Sequence, residues 1–310
     1  MDDDSERELA ELLKEVRRIE VHSHRLVTSV MAGGYSSVFR GAGIEFDEVR
    51  EYVEGDDPRS VDWNVTARVG RPFVKKYVDE RELSVVFLLD LSQSMSGGFG
   101  VWSARQTAAR VCACLALAAL KNKDKVGLIA FSESVDKYVP PKKGIGHVLR
   151  LVRDCLALKG SSARTDLEPA LELASRVLRR RAILFLVSDF LAGTFTGARR
   201  WQEALALCAR RHDVIAVRLL TPELSPLDAG LLRVRDPESG EERVIDWSSA
   251  DVRFRYEERV RRWRERMDGE LSRAKVDRMD VPVPRILGKD AIAGPILRFF
   301  RKRELKGTKR

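Results

Sequence analysis

Ser84-Val-Val-Phe-Leu-Leu-Asp90-Leu-Ser92-Gln-Ser94-Met-Ser96 is the stretch whose reading decides the fold. Val85 to Leu89 is an uninterrupted apolar run, which suits a strand buried on both faces of a sheet. It stops at Asp90, and hydroxyls follow at alternate positions, Ser92 and Ser94, before a Gly97-Gly98 break and a long helix. Open α/β sheets bind ligands in the crevice beyond the carboxyl ends of their strands, so these oxygens stand where a ligand would be met. Carboxylate and hydroxyl groups without thiol or imidazole neighbours are hard donors, suited to Mg²⁺ or a similar cation. The same residues also suit an Asx or Ser turn capping the next helix, and the motif alone leaves both readings open.

Downstream, buried strands alternate with helices. Val101 to Lys121 reads as an Ala-rich helix made to lie on a sheet, and Lys125 to Ser132 as a second buried strand. Val135 to Val139 reads as an antiparallel edge strand that Pro140-Pro141 ends, followed by a helix over 145–158. A polar loop, Ser161 to Asp166, leads into a helix over 167–180. Arg181 to Asp189 is another buried strand ending in an acid. A helix over 199–211, a strand over 213–219 and a hairpin of 231–234 with 243–245 come next. Ser248 or Ser249 then caps a charged helix reaching to about Met279, and a helix over 292–303 closes the chain ahead of a basic end. This alternation predicts an α/β fold: a doubly wound, mostly parallel sheet flanked by helices.

Upstream, residues 5–31 carry Leu9, Leu12, Leu13, Val16 and Ile19 near helical spacing, and His22 and His24 read as solvent-exposed. Residues 33–82 are rich in Gly and charge. They hold Phe39, Phe46, Tyr52, Trp63, Phe73 and Tyr77, aromatics that need a place to pack, so they read as a small β-containing addition. Trp63 lies at the start of a helical turn, and Pro72 to Val78 alternates as a half-buried strand. The dense charges suit internal Arg–carboxylate bridges or a binding surface, and composition does not decide between them. The expected organisation is 1–82 for the N-terminal helix and small subdomain, 83–247 for the α/β domain, and 248–310 for charged helices and a basic tail packed on the rest.

The 310 residues, 44% hydrophobic and 33% charged, describe a soluble globular protein with an ample core. No apolar run approaches the roughly 18–20 residues that span a bilayer, and the acidic start (Asp2, Asp3, Asp4) is unlike a signal peptide. The expected location is cytoplasmic. Cys112, Cys114, Cys155 and Cys208 all sit in helical apolar stretches and read as small buried hydrophobes. Residues 251–310 hold 19 Lys/Arg against 10 Asp/Glu, which is the whole of the +9 charge. Such a region suits nucleic acid, an acidic protein or a membrane surface, or is simply a solvated helix face.

Asp90, Ser92, Ser94, Thr165 and Asp189 all fall where strands end or helices begin. In a doubly wound sheet those loops share one edge, so distant oxygens converge. Two carboxylates, three hydroxyls and water make a set of about six oxygen ligands.

That set, Asp90-X-Ser92-X-Ser94 with Thr165 and Asp189, resembles the metal-ion-dependent adhesion site of von Willebrand factor A domains. Further motifs resemble the bacterial and archaeal domain-of-unknown-function-58 family over roughly residues 30–300. They are Gly41-Ala-Gly-Ile-Glu-Phe-Asp-Glu-Val-Arg-Glu-Tyr52, Gly55-Asp-Asp-Pro-Arg-Ser-Val-Asp-Trp63, Phe73-Val-Lys75, Glu80-Arg-Glu82 and Ser188-Asp-Phe190. The resemblance implies a von Willebrand factor A-like fold without catalytic residues. It implies Mg²⁺ (or Mn²⁺ or Ca²⁺) ligated by Ser92, Ser94 and Thr165, with Asp90 and Asp189 acting directly or through water. It also implies an adaptor role beside MoxR-type AAA+ ATPases in protein maturation or complex assembly. Ser161-Ser-Ala-Arg164 replaces the Gly-rich approach to Thr165 often found there.

The expected function is thus a metal-dependent module that takes an Asp or Glu from a protein partner. Two alternatives stand beside it. An Mg²⁺-dependent phosphoryl-transfer enzyme would use Asp90 as nucleophile, but Ser92 stands where a general acid would be, and no P-loop occurs. Nucleic-acid binding would use the arginines of 250–279, but Glu257, Glu258, Glu265, Asp268 and Glu270 interrupt them.

Overall fold

The structure, a computed structural model, describes residues 45–57, 60–78, 83–191, 200–227, 229–237, 240–286 and 291–307. The expected helix over 5–31, His22 and His24, and the Gly41-Ala-Gly and Glu80-Arg-Glu motifs lie wholly or largely outside them. The chain forms two compact units, a small one within residues 39–82 and a large one that holds residues 83–310.

In the small unit, β1 (Glu45–Glu51) pairs antiparallel with β2 (Phe73–Val78). Between them lies α1 (Trp63–Val69), whose first turn is capped by the Asp62 carboxylate and whose end is closed by Gly70 at φ 75°. Its charges are in part internal: Arg50 donates to both Asp56 oxygens at 2.8 and 2.6 Å. That guanidinium, and then the Val53 N–H, hold the Asp56 carboxyl below its ordinary range. Trp63 departs from expectation, because it is 72% exposed on α1 instead of packed.

The large unit is built on six strands in the order β10-β7-β6-β3-β4-β5. They are β3 (Ser84–Asp90), β4 (Lys125–Phe131), β5 (Val135–Lys142), β6 (Ile183–Ser188), β7 (Asp213–Leu220) and β10 (Asp277–Pro282). All pairings are parallel except β4 with β5. β3 is central and buried from Val85 to Asp90, as its unbroken apolar run requires. One face is covered by α4 (Glu168–Val177), α5 (Arg200–Arg211) and α6 (Ala250–Arg273). Their Leu171, Leu205, Trp263 and Met267 share a core with Val86, Leu88, Leu184 and Leu186. α2 (Ala104–Lys121) is buried over nearly its whole length, and its small alanines permit close approach to the sheet and to α3 (Ile145–Ala157). α7 (Ala293–Gly307) packs beside β10, and β8 (Leu231–Arg235) with β9 (Glu242–Asp246) form the expected hairpin.

Two elements differ from the sequence reading. β5 continues through Pro140-Pro141 to Lys142, because an edge strand needs no N–H on its outer side. Gly127 leaves room for this, since a Cβ there would lie 3.0 Å from the Pro141 nitrogen. The charged helix does not reach Met279. It stops at Arg273, Lys275 turns through φ 57°, and residues 277–282 become the sixth strand. Met279 and Val281 are buried, while Asp280 receives Arg218 from β7 at 2.8 and 3.1 Å. Paired in this way, the charges do not prevent burial of the strand. Residues beyond 247 therefore contribute a strand to the central sheet.

Candidate metal centre

β3 ends by burying the Asp90 carboxylate completely. Its Oδ1 accepts the Ser92 N–H at 2.8 Å and faces the Thr165 hydroxyl at 3.5 Å. Its Oδ2 accepts the Ser188 hydroxyl at 2.6 Å. Ser92 and Ser94 lie with hydroxyl oxygens 3.1 Å apart at the start of a 3₁₀ turn, Gln93–Ser96. Ser92 and Thr165 are buried and Ser94 is half-buried, so the cluster has one more open side. An Asx turn is present at Asp90, and it coexists with the convergence of side chains instead of replacing it.

Thr165 is brought in by close backbone contact. The Gln93 N–H donates to the Ala163 carbonyl, and the Asp166 N–H to that of Ser132. Gly160 makes the approach possible: a Cβ there would sit 2.7 Å from the Leu91 carbonyl oxygen. One glycine thus makes the approach in a loop where Ser161-Ser-Ala-Arg164 stands in place of a Gly-rich run. Ser161 is fixed by donating its N–H to Asp136 at 2.8 Å.

Asp189 follows the end of β6, beside β3, and is 1% exposed. Its Oδ1 accepts the Leu191 N–H at 3.0 Å, while its buried Oδ2 accepts no hydrogen bond among the described residues. Burial pushes the Asp90 carboxyl up to about 7, helped by the charge of Asp189 and opposed by the bonds from Ser188 and Ser92. Burial also raises Asp189, with the Leu191 N–H and the nearby Ser94 hydroxyl pulling the other way.

Sequence reasoning quoted Ser188 only within the Ser188-Asp-Phe190 motif and gave it no place in the site. Its hydroxyl occupies one Asp90 oxygen and accepts the Phe190 N–H at 3.0 Å. The signal was a hydroxyl at the end of a strand in parallel register with β3, where Leu89 faces Val187.

Two desolvated carboxylates, converging hydroxyls and a buried oxygen without a donor make a site short of positive charge, which fits a hard divalent cation. No group of three or more His, Cys, Asp or Glu side chains that could hold a metal occurs among the described residues. An ion here would draw on hydroxyls.

The parallel sheet with one antiparallel edge, helices on both faces and oxygens at its carboxyl rim define an α/β domain with a mostly parallel central sheet. The chain belongs to the family described as "Protein of unknown function DUF58", whose model matches residues 48–266. It is 30% identical over 228 residues to the uncharacterized protein Rv1480 of Mycobacterium tuberculosis, covering 73% of this chain and 70% of that one. Among solved structures it is similar to BatB of Bacteroides thetaiotaomicron, with a TM-score of 0.46, 18% identity and coverage of 71% and 98%. It is also similar to the SpRpn10 VWA domain, with a TM-score of 0.36, 11% identity and coverage of 68% and 94%. Mussel byssus proximal thread matrix protein 1, solved with a zinc-occupied MIDAS motif, matches at a TM-score of 0.37 and 17% identity, over 45% of this chain and 38% of that one.

Proposed function

We propose that this chain is a non-enzymatic, metal-dependent protein-binding module. Ser92, Ser94 and Thr165 would hold a divalent cation, Mg²⁺ or else Mn²⁺ or Ca²⁺, with Asp90 and Asp189 acting directly or through water. Once bound, the ion supplies an electrophilic position for an Asp or Glu side chain of a partner protein. The observation that carries this reading is the buried Asp90–Asp189 pair, raised by burial and left with one undonated oxygen. Ser188 and the Ser92 N–H orient Asp90, and the half-buried Ser94 lies on the side open to a partner.

A MoxR-type AAA+ ATPase fits as the partner that remodels the complex, in keeping with the adaptor role the family resemblance implies. A cytoplasmic location is part of the same reading, supported by four cysteines that are free and buried. No helix among the described residues is long and apolar enough to cross a membrane. The phosphoryl-transfer alternative is disfavoured because both Asp90 oxygens already receive hydrogen bonds. Nucleic-acid binding is disfavoured because α6 arginines pair with carboxylates of the same helix, Arg255 with Asp251 and Arg261 with Glu258.

Calorimetric titration of Mn²⁺ into the full chain and into Thr165→Ala tests the reading. Saturable binding is expected, weakened roughly tenfold or more in the variant on the scale of one lost ligand. Affinity capture with and without EDTA, repeated with Asp90→Ala, should lose the same retained proteins in both cases. Absence of saturable Mn²⁺ binding by the wild-type chain would sink it.

A further inference from the structure

Phe190 follows Asp189 with φ 56°, a left-handed conformation that is costly for a bulky side chain. Such a residue persists only where its surroundings over-determine it. Here the surroundings are identifiable. The Phe190 N–H donates to the Ser188 hydroxyl, and the Phe190 carbonyl accepts the indole N–H of Trp263 at 3.0 Å. Trp263 lies on α6 and is 6% exposed in the same core cluster as Phe190. The Arg218 guanidinium stands over its ring, 5.4 Å from the centroid.

The turn gripped from both sides also orients the two carboxylates. The Ser188 hydroxyl donates a hydrogen bond to Asp90, and the Leu191 N–H donates one to Asp189. The chain of contacts thus runs from the α6 indole to the Phe190 carbonyl, from the Phe190 N–H to Ser188, and from Ser188 to Asp90.

We propose that Trp263 is a positioning residue for the candidate metal centre: its indole N–H holds the Ser188–Leu191 turn in the shape that aims Asp189 and, through Ser188, Asp90. This rests on the metal reading given above. The Trp263 indole N–H is bonded to the Phe190 carbonyl and to none of the candidate ligands, so it acts through the backbone of Phe190. By linkage, whatever steadies the turn steadies the ion, and the ion in turn steadies the contact with α6.

The test compares wild type, Trp263→Phe and Leu271→Ala. Trp263→Phe keeps an aromatic ring and removes the donor. Leu271, two turns along α6 in the same core, is 2% exposed and makes no contact with the turn through this bond. Mn²⁺ should bind Trp263→Phe roughly 3- to 10-fold more weakly, the scale of one buried hydrogen bond. Leu271→Ala, with the larger loss of thermal stability, should keep the wild-type dissociation constant. In metal-free protein, amide exchange at Phe190 and Leu191 should rise several-fold in Trp263→Phe, with β6 unchanged, whereas Leu271→Ala should alter exchange without singling out the turn. Wild-type affinity in Trp263→Phe, an equal affinity loss in Leu271→Ala, or unaltered exchange at Phe190 overturns the proposal. Should wild type itself bind no Mn²⁺, the metal reading falls, and the exchange measurement still decides whether Trp263 fixes the turn.

Discussion

The buried carboxylate of Asp90 should make the metal-free protein lose stability as pH rises, and Asp90→Asn should abolish that loss. Its folded-state value lies at about 7 against an ordinary 3.8. The native chain therefore holds this proton more tightly than the unfolded chain does. The stability it contributes is fully present below about 3.8 and is lost as pH climbs through about 7. At about 1.4 kcal/mol per pH unit, the whole span is worth on the order of 4 kcal/mol, and the part between about pH 5 and pH 7 on the order of 3 kcal/mol. For a chain of this size that corresponds to a fall in Tm of roughly 4 °C. Asparagine keeps an oxygen for the Ser92 N–H, and the Ser188 hydroxyl can turn to meet the new amide, so the local bonds survive. Scanning calorimetry in chelator-treated buffers at about pH 5, 6, 7 and 8 reads the difference between the two proteins, which cancels the titrating groups remote from the site and leaves the response of Asp90 together with its coupled neighbour Asp189. Adding Mg²⁺ at about pH 8 should restore the wild-type loss, by up to about 2.7 kcal/mol at a hundredfold excess over its Kd, and leave Asp90→Asn unmoved. Parallel Tm profiles for wild type and variant would refute the argument, since they would mean that Asp90 ionises in the native state at no cost.

Two further outcomes follow from particular contacts. Arg218 is 3% exposed and joins β7 to Asp280 of β10 and to Asp268 of α6, so Arg218→Ala should cost about 3–5 kcal/mol in urea unfolding. Arg218→Met should cost less than half of that, because methionine refills the buried space that alanine leaves empty, while Arg278 pairs with both carboxylates in either variant. Gly160→Ala would set a methyl 2.7 Å from the Leu91 oxygen and 3.1 Å from the Ser132 Cβ. It should lower stability by about 1–3 kcal/mol and weaken Mn²⁺ binding by displacing the loop that carries Thr165; calorimetry and titration together check both effects, and wild-type values in the two would remove the close approach from the account.

How much of this could be read from the chain follows from where each signal is written. β3 was legible because burial on both faces forces a continuous apolar run, and Asp90, Ser92 and Ser94 because they interrupt it at one end. Thr165 and Asp189 were legible as oxygens at the ends of other elements, which topology carries to one rim. β10 was not legible. Its Asp277, Arg278 and Asp280 continue the charged pattern of α6, and it is Arg218 on the neighbouring strand, Asp268 on α6 and Arg303 on α7 that make them compatible with a strand of the central sheet. The alternation of Met279, Val281 and Val283 was the faint clue, outweighed by the charge around it. Ser188 and Trp263 show a different limit. Ser188 matters because of its register against a strand nearly a hundred residues earlier, and Trp263 because its N–H meets the backbone of a residue whose side chain says nothing of the contact. Groups that supply chemistry announce themselves by type, whereas groups that aim the chemistry through another residue's backbone carry no such mark. In this fold the mark appears only in coordinates, as a phenylalanine held left-handed one residue beyond a buried acid.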